Sequence, residues 1–558
     1  MTDIAAPPAL PLLPRAEQMF PTLTPAQLAR IEAHGHGRAI KQGEVLVEAG
    51  QRPVRFIVVR RGKIMIARPF GESETPIVSL GPGQFTGEIN MLSGRRAIVN
   101  MVASEDGEII ELDREQLLAL VQTDAELSEI LMRAFILRRV NLVAQGISDV
   151  VLIGSNYSAG TLRVKEFLSR NGHPYQGIDL DRDAEAQLLL DRFNVSAADV
   201  PVLICAGDVV LRNPSNQQIA ECLGFNDAID QTRVHDLLII GAGPAGLAAA
   251  VYAASEGLDV IMIESHAPGG QAGSSSKIEN YLGFPTGISG QALMARAATQ
   301  ALKFGAKIVI AQDARKLACV KKPYAIEVNG GTLPARAVII ASGVQYRKPA
   351  LQDLVKFEGA GVYYGATFRE AQLCGGEEII VIGGGNSAGQ AAVFLSPTVR
   401  RVHILIRSGG LAESMSRYLV RRIEESPNIV LHTHTEVVTV EGVSHLERVR
   451  WQNLQTGEVE THNIRHVFVM TGATPGTQWL VGCLALDEKG FIKTGADLTE
   501  DDLRTARWPL NRAPHLLETS LPGVLAVGDV RANNIKRVAS AVGEGAMAIS
   551  FVHQVLRE

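Results

Sequence analysis

DLLIIGAGPAGLAAAVYAASEGLDVIMIES, residues 236–265, reads as a strand, a glycine turn, a helix and a second strand ending in an acid. The turn is Gly241-x-Gly243-x-x-Gly246. Gly241 permits the tight turn, Gly243 lets backbone approach a pyrophosphate, and Gly246 lets helix and strand pack closely. The helix start adds amide donors and positive potential for phosphate. Glu264 follows 23 residues after Gly241, where a carboxylate accepts hydrogen bonds from ribose hydroxyls. The plan returns at residues 377–410, EEIIVIGGGNSAGQAAVFLSPTVRRVHILIRSGG. Its turn is Gly383-x-Gly385-Asn386-Ser387-Ala388. Ile406 stands where Glu264 stood, and Arg407 follows it. Losing the acid removes the 2′-hydroxyl acceptor, and an arginine offers a bidentate partner for a 2′-phosphate. The pair favours NADPH over NADH; the alternative for Arg407 is a solvated arginine at a strand end. Two dinucleotide sites in one chain imply hydride transfer between a bound flavin and a nicotinamide.

Outward from these segments, the chain has 558 residues, which implies several domains. A hydrophobic share of 46% and a charged share of 20% exclude a disordered, collagen-like or disulfide-stapled chain. A net charge of -5 argues against a broad nucleic-acid surface. The five cysteines, Cys205, Cys222, Cys319, Cys374 and Cys483, form no C-x-x-C pair and no metal-spaced cluster, so no metal site is expected. Their low, odd number fits a reducing cytoplasm. Residues 1–20 read as a proline-rich disordered lead rather than a signal peptide, and no apolar run is long enough to span a membrane.

Three further stretches precede the glycine turns. Residues 21–146 open with KQGEVLVEAGQ (41–51), RFIVVRRGKIMIARPF (55–70) and NMVASEDGEIIELD (100–113), alternating segments of a small antiparallel barrel or jelly roll. Helices close this part, with Asp113 and Gln116 as cap and N3 partner and Thr123 with Glu126 repeating the pattern. Residues 148–228 alternate strand and helix: SDVVLIGS, TLRVKEFLSRNG, YQGIDLD, AEAQLLLDRF, VPVLICAG and NQQIAECLG.

Residues 235–558 resemble the thioredoxin reductase family of flavoproteins. Beyond the turns, the resemblance rests on Gly269, Gly270, Gln271 and Asn280 in GGQAGSSSKIENYLGFP, on ASGVQYRKP (341–349), and on GVLAVGDVR (523–531) with Gly528 and Asp529. KRVASAVGEGAMA, with Arg537, Val538 and Ala539 at its start, matches the helix that lies along the flavin. The resemblance implies an FAD domain of 234–345 plus 465–558, an inserted NADPH domain of 346–464, and a homodimer. The family carries a C-x-x-C dithiol before its second glycine turn; here Gly365 and Phe368 stand in those places. A dithiol stores the flavin's electron pair for a protein disulfide, so the usual relay is not expected.

Residues 148–228 resemble a thioredoxin or glutaredoxin fold, with Val200–Pro201 matching its cis-proline and Ser155 and Ser158 in place of its cysteines. Residues 21–146 resemble a cyclic nucleotide-binding domain through GPGQFTGEINMLSGRRAIVNMVA (81–103). By that resemblance Gly87 and Glu88 open the phosphate cassette, Glu88 takes the ribose 2′-hydroxyl, Arg96 pairs the cyclic phosphate and Ala97 follows it. A ligand-free barrel of the same fold is the alternative.

The expected fold class is therefore multidomain: an N-terminal β jelly-roll with helices, an α/β thioredoxin-like middle domain, and a C-terminal pair of Rossmann-like α/β domains. The expected function is an NADPH-dependent FAD oxidoreductase regulated by cAMP or cGMP. Its acceptor beyond FAD is open, a thioredoxin-like protein among the candidates. No acid, base or nucleophile is identified, because hydride transfer needs none. The alternative is a sensor that binds flavin and cyclic nucleotide with little turnover. A weaker reading builds a dithiol from distant cysteines.

Overall fold

The computed structural model describes residues 16–558 apart from 71–72, 146–147, 149, 156–157, 182, 184–195, 197–198, 206–208, 348, 350 and 352. The expected lead (1–20, in its first fifteen residues) and the helix AEAQLLLDRF lie outside the described residues. The chain forms two compact units. The first reaches to Leu152 and includes Gly172–Ile178 and Val202–Asp227; the second includes Ile153–Asn171 and Ala228–Glu558.

In the first unit the alternating segments form two antiparallel sheets. One orders His36–Ile40, Gly107–Leu112 and Phe56–Arg61; the other orders Val45–Val47, Asn100–Ala103, Ile64–Phe70 and Ser73–Leu80. Phe56, Phe85 and Phe135 meet in the core, with ring centroids 5.7–6.3 Å apart. Helices Arg114–Thr123 and Ala125–Ala144 follow. The Asp113–Gln116 capping box forms as expected. The second cap does not. Asp124, in extended conformation at φ -110, caps the next helix by accepting from the Leu127 N–H at 3.0 Å. Thr123 instead ends the preceding helix, its hydroxyl donating to the Ala119 carbonyl at 2.7 Å. A carboxylate one residue nearer the helix start outcompetes the hydroxyl as acceptor.

A four-stranded sheet orders Val209–Arg212, Val202–Cys205, Val150–Gly154 and Gln176–Asp179. Val209–Arg212, which falls between the segments read from sequence, pairs antiparallel with Val202–Cys205. The Val200–Pro201 peptide is cis.

In the second unit, residues 235–340 build a sheet whose centre is parallel. Its order is Lys307–Ile310, Val260–Glu264, His235–Ile240, Gly331–Ile340, Tyr324–Val328 and Lys316–Ala318, with Val524–Ala526 also on Gly331–Ile340. The apolar runs are buried on both faces: Leu237 and Ile239 pack with helices Pro244–Ser255 and Val538–Arg557, and Leu238 and Ile240 pack with Leu317, Ile326, Leu480 and Ile492. Ile240 pairs with Ile263 and with Ile340, and Ile340 with Ala526. Gly241, Glu264, Ala341 and Val527 therefore leave the sheet at one edge. A second parallel sheet orders Val362–Tyr363, His466–Val469, Glu378–Ile382, Arg401–Leu405 and Ile429–His432. Ile382 pairs with Leu405 and Val469, so Gly383, Ile406 and Met470 share its carboxyl edge. The chain passes between the sheets twice, and the two passages pair as a ribbon of Val344–Tyr346 with Ala473–Pro475.

Candidate functional site: two glycine turns at parallel sheet edges

Gly241 has φ +102, and a Cβ there would collide with the Ala341 carbonyl. A Cβ on Gly246 would fall inside the Gly241 carbonyl oxygen. These two glycines are demanded by backbone packing. Gly243 is different: its nearest neighbour beyond the chain is the Gly270 Cα, 3.9 Å from where a Cβ would stand. It precedes helix Pro244–Ser255 and offers no side-chain cap to the first amides of that helix. Proline at the first helical position costs no bond. This cradle fits a pyrophosphate.

Glu264 ends Val260–Glu264 and returns to the turn, accepting from the Ala242 N–H at 2.8 Å and the His266 N–H at 3.0 Å. The Gly269 N–H donates to the Ala242 carbonyl at 2.7 Å, which lays the Gly269–Gly270 loop over the same turn. Both glycines have positive φ, +118 and +52. Gln271 and Asn280 are exposed, and the Gln271 amide reaches the Val344 carbonyl at 3.4 Å. Gly528, at φ +72, comes so close to the first cradle that a Cβ would lie 2.9 Å from the Ala245 Cβ. Asp529 beside it is half-buried, and burial raises its carboxyl above the ordinary range while Lys536 opposes the shift. Arg537 caps helix Val538–Arg557 without a side-chain bond, leaving the amides at Val538 and Ala539 free of one.

Glu544 is a buried carboxylate in this region that sequence reading missed. Its carboxylate accepts from the Gly528 N–H at 2.7 Å, from Arg531 at 2.8 Å and from Asn534 at 2.7 Å. One buried acid thus pins the second fingerprint to the last helix. The available signal was a lone carboxylate in a run of Gly, Ala and Val.

At the second turn, Gly383 has φ +133 and a Cβ would meet the Met470 carbonyl. Gly385 precedes helix Asn386–Leu395 without a side-chain cap, and nothing lies within 4 Å of its open side. Asn386 accepts from the Ser416 N–H at 2.7 Å, Ser387 receives the Tyr346 hydroxyl at 3.3 Å, and Ala388 is buried. Ile406 is buried and Arg407 exposed at the carboxyl edge. Of the nearby helical arginines, Arg422 pairs with Glu279.

Beneath this sheet His403 Nδ1 lies 3.0 Å from His432 Nε2, with Glu378 at 3.6 Å and His462 beyond. Burial, with His432 alongside, pushes His403 down to about 4. Unfolded histidine takes its proton near pH 6.5, so between these values the unfolded chain binds more protons. Stability contributed here is complete above about pH 6.5 and is lost as pH falls toward 4. A series of urea midpoints should fall across that window, and His403→Gln should flatten the fall; an unchanged slope would mean the ring carries no such linkage.

The cysteines are distributed otherwise than their sequence positions indicate. Cys319 and Cys483 form a disulfide across a sequence separation of 164. Ala318 pairs with Ala325, Tyr324 with Ala335, and Ala335 with His235. Cys319 is thus level with His235, and Gly241 is six residues, about 20 Å, further along the strand direction. Cys374 is buried, its thiol donating to the Glu370 carbonyl at 3.0 Å, and burial raises it to about 12. Cys205 is buried in its strand. Gly365 has open space on its Cβ side, and Phe368 begins helix Phe368–Leu373. Among the described residues no group of His, Cys, Asp and Glu could hold a metal ion, and no helix is long and apolar enough to cross a membrane.

In the first unit Gly87 has φ +99, and its carbonyl accepts from Arg138 at 2.8 Å. Glu88 lies 3.5 Å from Arg139, whose place at the site sequence reading did not foresee. Arg96 is half-buried, and Ala97 is buried and hydrogen-bonds the Gln51 carbonyl at 3.2 Å.

Two uncapped glycine-turn helices, each at the carboxyl edge of a parallel sheet, define a two-dinucleotide flavoprotein oxidoreductase. Residues 235–545 match the family model described as pyridine nucleotide-disulphide oxidoreductase, and residues 37–124 match the one described as cyclic nucleotide-binding domain. Thioredoxin reductase of Ureaplasma parvum is 31% identical over 58% of this chain and 97% of its own length. That of Treponema pallidum is 32% identical over 56% and 94%. Among solved structures, the T. acidophilum thioredoxin reductase is similar with TM-score 0.52 and 30% identity, covering 58% of this chain and all 100% of that one. The Lactococcus lactis enzyme matches with TM-score 0.52 and 27% identity over 58% and 99%. The chain belongs to the pyridine nucleotide-disulphide oxidoreductase family, with thioredoxin reductases as its relatives, and carries a cyclic nucleotide-binding domain at its N-terminal end. It is an NADPH-dependent flavoprotein oxidoreductase with FAD and NADPH as cofactors.

Proposed function

We propose that this protein is a cytoplasmic, homodimeric NADPH oxidoreductase, controlled by cyclic nucleotide, that hands electrons from its flavin to an acceptor without a family-type dithiol. The domain layout behind this reading is 21–146 for nucleotide, 148–228 thioredoxin-like, 234–345 plus 465–558 for FAD and 346–464 for NADPH. The amides after Gly243 bind the FAD pyrophosphate, and Glu264 orients its ribose. Gly269, Gly270, Gln271 and Asn280 line the flavin loop, while Gly528, Asp529 and the start of the last helix, Arg537 to Ala539, hold the far end. Gly383, Gly385 and the Asn386–Ala388 turn receive NADPH, whose 2′-phosphate Arg407 selects. Bound FAD supplies the hydride-accepting chemistry. The paired passages Val344–Tyr346 and Ala473–Pro475 give the nicotinamide domain a two-stranded pivot for bringing its ligand to the flavin. Glu88, Gly87, Arg96 and Ala97 form the cyclic nucleotide loop.

The observation that carries the acceptor reading is the placement of thiols. Gly365 and Phe368 hold the positions of the relay cysteines, Cys374 is buried with a raised thiol pKa, and the Cys319–Cys483 pair lies away from the glycine-turn edge. An anaerobic NADPH titration of the purified protein tests it. One equivalent per FAD should bleach the flavin completely. A requirement for two would reveal a cysteine pair in equilibrium with the flavin and overturn the reading. Absence of turnover with disulfide, quinone and one-electron acceptors would replace the enzyme by a sensor.

A further inference from the structure

The segment that closes the first unit reaches the nucleotide loop. Helix Asn216–Cys222 ends through Gly224, at φ +59, and the Phe225 N–H turns back to the Ala220 carbonyl at 2.8 Å. That turn delivers Phe225 to Asp227 onto the loop. Arg52 donates to the Gly224 carbonyl, and to that of Asn226 at 3.0 Å. The Arg95 guanidinium lies 4.4 Å over the Phe225 ring, which also packs on His173 at 5.3 Å. Asp227 accepts from Arg114 at 3.0 Å and lies 3.8 Å from Arg52. Gly94 is left-handed at φ +71, and a Cβ there would stand 2.7 Å from the Asp227 carboxylate. Glycine is therefore required on two counts, conformation and room for the acid.

A cavity of about 180 Å³ opens beside these groups, lined among others by Arg52, Asn90, Gly94, Arg95, Arg114 and Asp227. Arg52, Arg95, Arg114 and the Asp227 carboxylate share this wall. Burial pushes the Arg95 pKa down to about 9, against the pull of Glu88; it stays charged near neutrality but is poorly hydrated, which favours an anionic or aromatic neighbour. Arg95 adjoins Arg96, the residue read as the cyclic phosphate's partner.

We propose that Gly224–Asp227 is a built-in competitor of the nucleotide: Phe225 and Asp227 hold the Gly94–Arg96 loop, and a cyclic nucleotide takes the loop and releases the segment. This rests on the reading that the first unit binds a cyclic nucleotide. A ligand that must first displace a tethered group binds more weakly by the fraction of molecules already open. The released residues lead directly into the flavin domain's first strand, which begins at His235, eight positions beyond Asp227.

The test uses the full chain and calorimetric titration with cAMP and cGMP in turn. Asp227→Asn, which keeps shape and removes charge, should tighten binding of the preferred nucleotide about 5- to 30-fold. Phe225→Ala should act in the same direction, with circular dichroism and melting to verify folding. Hydrogen exchange of amides 223–227 should quicken on addition of nucleotide to the wild-type protein. Binding by the wild type with equal affinity for Asp227→Asn, or with unchanged exchange, overturns the competitor and leaves the nucleotide reading standing. Absence of binding by wild type and Asp227→Asn alike overturns both.

Discussion

Gly246→Val should yield a colourless protein. A Cβ at this position falls inside the Gly241 carbonyl oxygen and beside the Ala341 methyl. The obstacle is backbone, so no rotamer relieves it, and the helix must move off the turn. Ordinary overpacking costs about 1–3 kcal/mol; displacement of the cradle itself should exceed that and lower flavin retention by about 100-fold or more, since 1.4 kcal/mol is tenfold in affinity. Flavin absorbance per protein after desalting measures it. Gly243→Ala makes the comparison decisive. There the nearest group is 3.9 Å away, so the protein should fold and melt normally while losing flavin, because the methyl occupies the approach of the pyrophosphate. Wild-type flavin content in both variants would mean that this turn is not the cofactor's cradle.

Glu544→Ala should be the most damaging single side-chain truncation in the last helix. Its carboxylate joins the Gly528 amide, Arg531 and Asn534, and the Glu544 and Arg531 side chains are only 10% and 16% exposed. Truncation leaves a nearly buried guanidinium without its main counter-charge, a loss of about 3–5 kcal/mol. Urea unfolding should show a lower midpoint with an unchanged slope, since the exposed area on unfolding is the same. Glu544→Gln should recover part of the loss, because the amide oxygen still accepts from Gly528 while its NH₂ group meets donors. A midpoint within experimental scatter of wild type for Glu544→Ala would show that Asp497, 3.6 Å from Arg531, carries the charge alone.

Much of this architecture was legible because its signals are local. A glycine turn, its helix and its terminal acid occupy thirty consecutive residues, and strand burial follows from unbroken apolar runs. The Asp113 cap was readable for the same reason: the bond spans three residues. The adjoining cap was misassigned because Thr123, Asp124 and Glu126 all satisfy the composition rule, and only the dihedral break at Asp124 chooses among them. Val209–Arg212 escaped notice because an edge strand of four residues has too short a pattern to separate from a loop.

The sequence by itself determined the two strand–glycine turn–helix segments and the order of the cyclic nucleotide-binding and oxidoreductase parts, since each is written in neighbouring residues. Only the tertiary structure decided that Cys319 meets Cys483, that Glu544 ties the last helix to Gly528, that Glu88 faces Arg139, and that Asp227 reaches Arg114. Each of these joins residues that no periodicity relates. Their meeting depends on how sheets and helices stack, and burial then makes the pairing strong, because a charge or polar group removed from water must find its partner there.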